Sequence, residues 1–415
     1  MRRLGFPFGC ALSACVLTLC IAPTATLGAP ERLLWETPWY GEGDLESTND
    51  VATAGRSAIA VGLSDTLSSE GEFGVRAFDV RTGEFLWEDD QGLEGSCEAV
   101  GVATTRRTAV VVGSLSTSST EGVEETVAVR AYDVRTGALV WHDHTVPGRG
   151  AAIAARGGTA VAAAAAESGV RAYDVATGGL RWEVTTAPQT FVADDVALSR
   201  RVAVLAGRTL PALDDHDWAV RAYDAQTGSF LWGHDHGMTM GFDFAGDVAI
   251  DRRVAVVVGR TTDGEGIVHF TVRAFDESSG VLLWEDLPDP SAGPRSATAV
   301  ALGRGVAVVT GSRTGGGLVV RTSDLATGAL LWDDALAGSG HGVDVAVRGR
   351  KALVLEYASV LRAYELSSGA PLWQEDVGAN DPTAIALSGG KAIVGGTTWG
   401  DDYGYQVVSA FRLGP

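Results

Sequence analysis

The stretch VRAFDVRTGEFLW, from Val75 to Trp87, decides the fold because it does not occur once. It returns as VRAYDVRTGALVW at Val129, VRAYDVATGGLRW at Val170, VRAYDAQTGSFLW at Val220, VRAFDESSGVLLW at Val272, VRTSDLATGALLW at Val320 and LRAYELSSGAPLW at Leu361. An eighth copy is divided between the two ends of the chain. VVSAFRL (Val407 to Leu413) supplies its first half and RLLW (Arg32 to Trp35) its second, so the repeat closes on itself.

Each copy reads as a β-hairpin. Alternating β-formers lead into Asp79-Val80-Arg81-Thr82-Gly83, where Asp and Thr can bond the turn backbone and Gly accepts a positive φ, and a second strand ends at Trp87. A second unit precedes every hairpin, as in DVALSRRVAVLAG from Asp195, DVAIDRRVAVVVG from Asp247 and AVALGRGVAVVTG from Ala299. It gives two more strands about a tight turn. Eight units of four strands predict an all-β fold, an eight-bladed β-propeller of antiparallel blades, with small, wholly apolar first strands at the crowded axis. The N-terminal strand from Leu33 to Thr37 joins the C-terminal blade and closes the ring without an exposed edge. The eight repeat tryptophans, Trp35, Trp87, Trp141, Trp182, Trp232, Trp284, Trp332 and Trp373, are expected to pack between blades.

The pattern Ala-x-Asp-x-x-Thr-Gly-x-x-x-Trp resembles the tryptophan-docking repeat of the pyrroloquinoline-quinone (PQQ)-like eight-bladed propellers, over essentially all of residues 29–415. That family holds quinoprotein alcohol dehydrogenases and also a non-catalytic lipoprotein of the outer-membrane assembly machinery, the BamB-like branch. Fold alone therefore does not select the function. The dehydrogenase branch implies a bound PQQ, a Ca2+ held by Glu, Asn and Asp, an Asp base and a disulfide between adjacent cysteines. This chain has no adjacent cysteines and only two asparagines, Asn49 and Asn380.

Residues 1–28 differ from the rest: Arg2 and Arg3 precede an acid-free run to Gly28, which reads as an export signal. Leu12-Ser13-Ala14-Cys15 resembles a lipobox, whose cysteine would be lipidated. Cys10, Cys15 and Cys20 all lie in this segment, leaving Cys97 alone in the remainder and no intramolecular disulfide there. The expected location is the periplasm or outside the cell, with an outer-membrane lipid anchor as the variant.

The net charge of −20 disfavours nucleic acid and polybasic membrane docking. The charge is expected to be divided, with bases in every tight first turn (Arg56, Arg106, Arg107, Arg156, Arg200, Arg201, Arg252, Arg253, Arg304, Arg350, Lys351, Lys391) and acids on the opposite face (Glu42, Asp44, Glu46, Asp89, Asp90, Asp214, Asp215, Asp217, Asp334, Asp401, Asp402). Variable connections emerge on that opposite face, the expected binding surface. Two of them hold the partner-binding candidates Asp214, Asp215, Asp217 and Trp218, and Trp399, Asp401, Asp402 and Tyr403. His142-Asp143-His144 and His234-Asp235-His236 place imidazoles at i and i+2, making His142, His144, His234 and His236 weak metal candidates. The reading is a monomeric, non-catalytic interaction module without cofactor that binds a protein partner. The alternatives are a PQQ- and Ca2+-dependent dehydrogenase and a secreted sugar- or cation-binding propeller.

Overall fold

The computed structural model describes residues 32–39, 46–65, 71–89, 96–119, 122–165, 169–185, 191–212, 215–236, 241–288, 293–338, 340–400 and 404–414. Residues from Arg32 onward form one compact unit, and Met1–Glu31, where the export signal is expected, lies outside the described residues. Among the described residues every regular element is a strand, and the strands form eight four-stranded antiparallel sheets. Blade one shows the plan: strand A is Asp50–Ala54, B is Ser57–Asp65, C is Gly71–Asp79 and D is Phe85–Asp89. Each strand A packs against that of the next blade, and blade eight's Asp381–Ser388 meets Asp50–Ala54 to complete the circuit. The propeller read from the repeat is the observed fold.

The tight turns of each blade are tied together. In blade one the N–H of Val80, just after the turn aspartate, donates to the carbonyl of Arg56 in the A–B turn at 2.8 Å, and the same bond recurs from Ala225 to Arg201 and from Leu413 to Gly390. Asp79 Oδ1 accepts the N–H groups of Arg81 and Thr82, as Asp133 does those of Arg135 and Thr136. Against the penalty of burial, the Arg56 hydrogen bond and those turn N–H groups hold the Asp79 carboxyl below the usual range. These turns stiffen one whole face of the ring.

Each tryptophan then docks one blade on the next. Trp232 donates its indole N–H to the carbonyl of Glu277 at 2.9 Å, and Trp35, Trp87, Trp141, Trp182, Trp284 and Trp332 make the equivalent bond at 2.8 to 3.1 Å. The indole face lies on the turn glycine of the neighbouring blade. Gly280 has φ +71°, and a Cβ there would stand 2.6 Å from the Trp232 ring. The repeated Thr-Gly thus serves both the turn and the contact.

The eighth tryptophan is different because the eighth blade has no C–D turn. Leu33–Trp39 is its strand D, paired antiparallel with Gly404–Arg412. Arg412 stands where other blades have the turn acid, and the Trp373 indole N–H is buried with no acceptor. Arg32 covers that indole instead, 4.7 Å from its centroid, and its Nη1 donates to the Arg412 carbonyl.

Three expectations change. The first strands are not wholly apolar: Asp50, Asp195, Asp247 and Asp344 lie on them. The connection from Ser114 to Glu125 is strand, because Thr108–Ser119 and Gly122–Asp133 pair as far as Ser119 and Gly122. The segment from Leu213 to Trp218 likewise shortens, since pairing runs out to Ala212 and Asp215 and aligns Trp218 with Arg208.

Gly280→Ala is expected to lower stability by about 2–4 kcal/mol, from overpacking plus positive-φ strain. Gly157→Ala, also at positive φ but with nothing within 4 Å of its Cβ position, should cost only about 1 kcal/mol. Chemical denaturation of the two variants side by side measures the difference.

Candidate functional site

Acids that follow several of the repeat tryptophans pair with arginines of strand C. Arg171 on strand C of blade three takes Asp143 of blade two at 2.9 Å and Glu183 of its own strand D at 2.7 Å. Arg321 joins Asp286 and Asp333 in the same way, at 2.9 and 3.2 Å, and Arg130 reaches Asp89 at 3.1 Å. Buried Arg76 holds buried Glu46 and lies over the Trp39 ring, 5.0 Å from its centroid. Asp334 accepts the Tyr364 hydroxyl at 3.0 Å. Glu46, Asp89 and Asp334, expected on an acidic face, are therefore partners of the interior. Glu42, Asp44, Asp90, Asp214, Asp401, Asp402 and Tyr403 lie outside the described residues.

A second set of acids lines the axis. Strand A is the inner edge of every blade, so its outward N–H groups have no neighbouring strand. Asp50 supplies the missing acceptor: Oδ1 takes the N–H of Val51 at 2.7 Å and Oδ2 that of Val102, in blade two, at 2.8 Å. Asp247 does the same for Val248 and Val300, and Asp344 for Val345 and Ile385. Asp195 reaches Val248 across the blade boundary at 3.0 Å. In blades four, five and seven a β-bulge immediately precedes the aspartate and aims it at the axis. These four carboxylates are half-buried, walled in by protein but open to the channel.

Burial makes three of these acids, Asp50, Asp247 and Asp344, hold protons. Burial, against which the Val102 and Val51 N–H groups work, pushes Asp50 up to about 7, with Asp344 and Asp195 adding repulsion. Burial raises Asp344 to about 6 and Asp247 well above the carboxylate range, the latter also through the charge of Asp195 and a hydrogen bond to it. Nothing in hydrophobic alternation marks these residues. The signal that finds them is an Asp-Val pair whose Asp stands seven residues before strand B in four blades, at Asp50, Asp195, Asp247 and Asp344.

On the long-loop face the structure separates the residues that sequence grouped. Trp218 is fully buried between blades four and five, with Arg273 over its ring at 4.7 Å, so it offers no surface to a partner. The backbone of Asp215 and Asp217 belongs to the hairpin beneath. Trp399 is 45% exposed, and its indole N–H donates to Asp381 at 3.2 Å. Sequence reasoning missed two further exposed aromatics at loop ends of this face, Phe242 and Tyr357, 50% and 44% exposed. Phe242 meets His216 edge-on at 5.0 Å and Tyr357 stacks on His341 at 4.9 Å.

The two His-Asp-His segments are not equivalent. The first begins one residue after Trp141 and the second two residues after Trp232, so a one-residue offset turns the imidazoles to opposite faces of the strand. His142 and His144 lie side by side, ring centroids 4.8 Å apart, and Asp143 between them is held by Thr145, Tyr173 and Arg171. Burial, with His142 and Arg130 nearby, lowers His144 to about 4. His234 instead stacks on Phe275 at 5.0 Å and hydrogen-bonds the Gly280 carbonyl, while burial lowers His236 beside Arg273. Among the described residues no three His, Cys, Asp or Glu side chains are arranged to hold a metal ion.

Eight blades docked by repeat tryptophans and closed by strand exchange between the chain ends define the PQQ-like propeller class. The family model described as outer membrane protein assembly factor BamB matches residues 124–237 and 268–410, more than half of the chain, and the chain belongs to that family. No curated protein matches the sequence. Similar solved structures include the computationally designed Ika8 protein (16% identity, TM-score 0.63) and BamB from Moraxella catarrhalis (15%, 0.60), each covering 92% of this chain and 99% of its own. The quinohemoprotein alcohol dehydrogenase of Comamonas testosteroni is similar over 92% of this chain and 76% of its own (12%, TM-score 0.62). At these identities the likeness concerns the fold. Asp50, Asp247 and Asp344 have each carboxylate oxygen on a backbone N–H.

The axial acids set a pH dependence. Because the folded state raises the pKa values of Asp50, Asp247 and Asp344, these three contribute stability that is fully present below the ordinary carboxylate value near 4 and is lost as pH rises toward 7. His144, lowered in the folded state, works the opposite way between its ordinary value of 6.5 and about 4. Thermal midpoints followed from pH 8 to pH 5 should therefore rise more steeply in His144→Gln than in the parent. The rise should flatten in the combined Asp50→Asn and Asp344→Asn variant.

Proposed function

We propose that this protein is an exported, non-catalytic scaffold of the cell envelope that seats a protein partner on its long-loop face. The observation that carries the reading is the set of half-exposed aromatics there, Phe242, Tyr357 and Trp399, each steadied by a polar or aromatic neighbour. Aromatic side chains held in place lose little freedom on binding, and Trp and Tyr anchor protein interfaces. The eight docked blades present them on a frame that does not need to rearrange. Membership of a family described as an outer membrane protein assembly factor supports envelope assembly as the setting.

Photo-crosslinking residues introduced singly at Phe242, Tyr357 and Trp399 in the native host should give one shared adduct that a position on the tight-turn face, Arg156, does not give. With that partner purified, Trp399→Ala is expected to weaken binding by about 2 kcal/mol, roughly thirtyfold, with the thermal midpoint unchanged. Titration with PQQ and Ca2+ should produce no saturable thermal shift and no dye-linked alcohol oxidation. A saturable shift with turnover would replace the scaffold by the dehydrogenase reading.

A further inference from the structure

We propose that the tight-turn face is a docking surface for an anionic lipid bilayer, on which the ring lies flat with its long-loop face turned away. The A–B and C–D turns of blades one to seven are hydrogen-bonded to one another, as Leu413 after strand C of blade eight is to Gly390, so all of them open on a single face. Short connections make that face broad and even, which suits a plane.

Its charge is opposite to that of the chain as a whole. Arg106, Arg107, Arg156, Arg200, Arg201 and Arg304 are exposed A–B turn residues with no carboxylate within ion-pair distance among the described residues. Turn carboxylates on the same face are committed locally, Asp133 to the N–H groups of Arg135 and Thr136, and Asp79, Asp174, Asp276 and Glu365 to Arg56, Arg181, Arg253 and Arg350. Between blades three and four Arg156 and Arg200, with Arg181 held by Asp174 at 2.7 Å, border an open cleft of about 550 Å3, room for a phosphate headgroup. The net charge of −20 would exclude such a surface only if it were spread evenly. Screening over about 10 Å leaves a bilayer to sense mainly the face turned to it.

An apolar collar borders the same face. A β-bulge at the base of strand D sets two successive residues outward, so that Phe85 and Leu86, or Phe230 and Leu231, are both about half exposed. The bulge recurs in every blade, and Leu33, Leu139, Leu282, Leu330 and Leu372 continue the collar around the ring. Apolar side chains beside exposed arginines are the composition of a surface that settles at the headgroup boundary. A nucleic acid would use the arginines and leave the collar wet. Arg32, whose Nη1 donates to the Arg412 carbonyl, adds a cation at the same face.

The test is flotation of the full chain with vesicles of phosphatidylcholine alone and with vesicles containing phosphatidylglycerol, at low and high salt. Binding should favour the anionic vesicles, fall with salt, and drop about fivefold for each arginine removed in the series Arg106→Ser, Arg156→Ser, Arg200→Ser, Arg201→Ser. Arg149→Ser with Arg295→Ser, exposed on the other face, should leave it unchanged, and thermal midpoints of all variants confirm folding. Equal binding to both vesicle types, or by parent and quadruple variant, would overturn the proposal, because the N-terminal run alone would then account for attachment. Retention of the parent on polyaspartate but not on anionic vesicles would also overturn it and assign the face to an acidic polypeptide.

Discussion

Everything in this molecule hangs on an indole laid over a glycine. A four-stranded blade has two apolar faces and cannot bury both alone, so each blade depends on its neighbours. The tryptophan at the outer strand supplies area, and its N–H reaches a carbonyl that the turn of the next blade leaves free, as between Trp232 and Glu277. Area without direction would let blades slide. The bond and the glycine fix the angle between blades, and repeating that angle closes the ring after eight.

Closure concentrates the polar problem at the axis. Inner strands leave backbone N–H groups aimed at one another with no partner, and aspartates on alternate or neighbouring blades accept from two blades at once. The cost is carboxylates held out of bulk water and near one another, relieved at Asp50, Asp247 and Asp344 by retaining protons. At the outer wall the problem is solved the other way. Arginines on strand C find acids on both adjoining outer strands, and ion pairs take the place of apolar packing.

How far the sequence can be read follows from which forces are local. The hairpins and the docking tryptophans were legible because Asp, Thr, Gly and Trp each act within one turn or on the next copy. Strand closure from Leu33 was legible because half a repeat at each end has only one place to go. The axial aspartates escaped because a bulge, not alternation, decides where Asp195 and Asp247 point. Trp218 was misplaced for a related reason: a hairpin that continues past the expected loop carries its residues into the core. The acids after each tryptophan were taken as surface, since nothing in one strand tells that Arg171 of the next blade will cover Asp143. Phe242 and Tyr357 are single aromatics in short connections, and only the fold brings them to the same side as Trp399.

The seam at blade eight also fixes how the molecule bears load. Leu33–Trp39 runs away from the point where the preceding chain is attached, and six backbone register pairs join it to Gly404–Arg412. A pull on the chain ahead of Arg32 acts along this strand, so the hydrogen bonds are strained together rather than opened one by one. Trp373, lacking an acceptor, adds no direct bond there, and the Arg32 guanidinium above it becomes the first contact to yield. The place where the circle is joined is thus also its mechanical fuse: strong against tension along the strand and weak against a force that lifts the strand sideways from the rim.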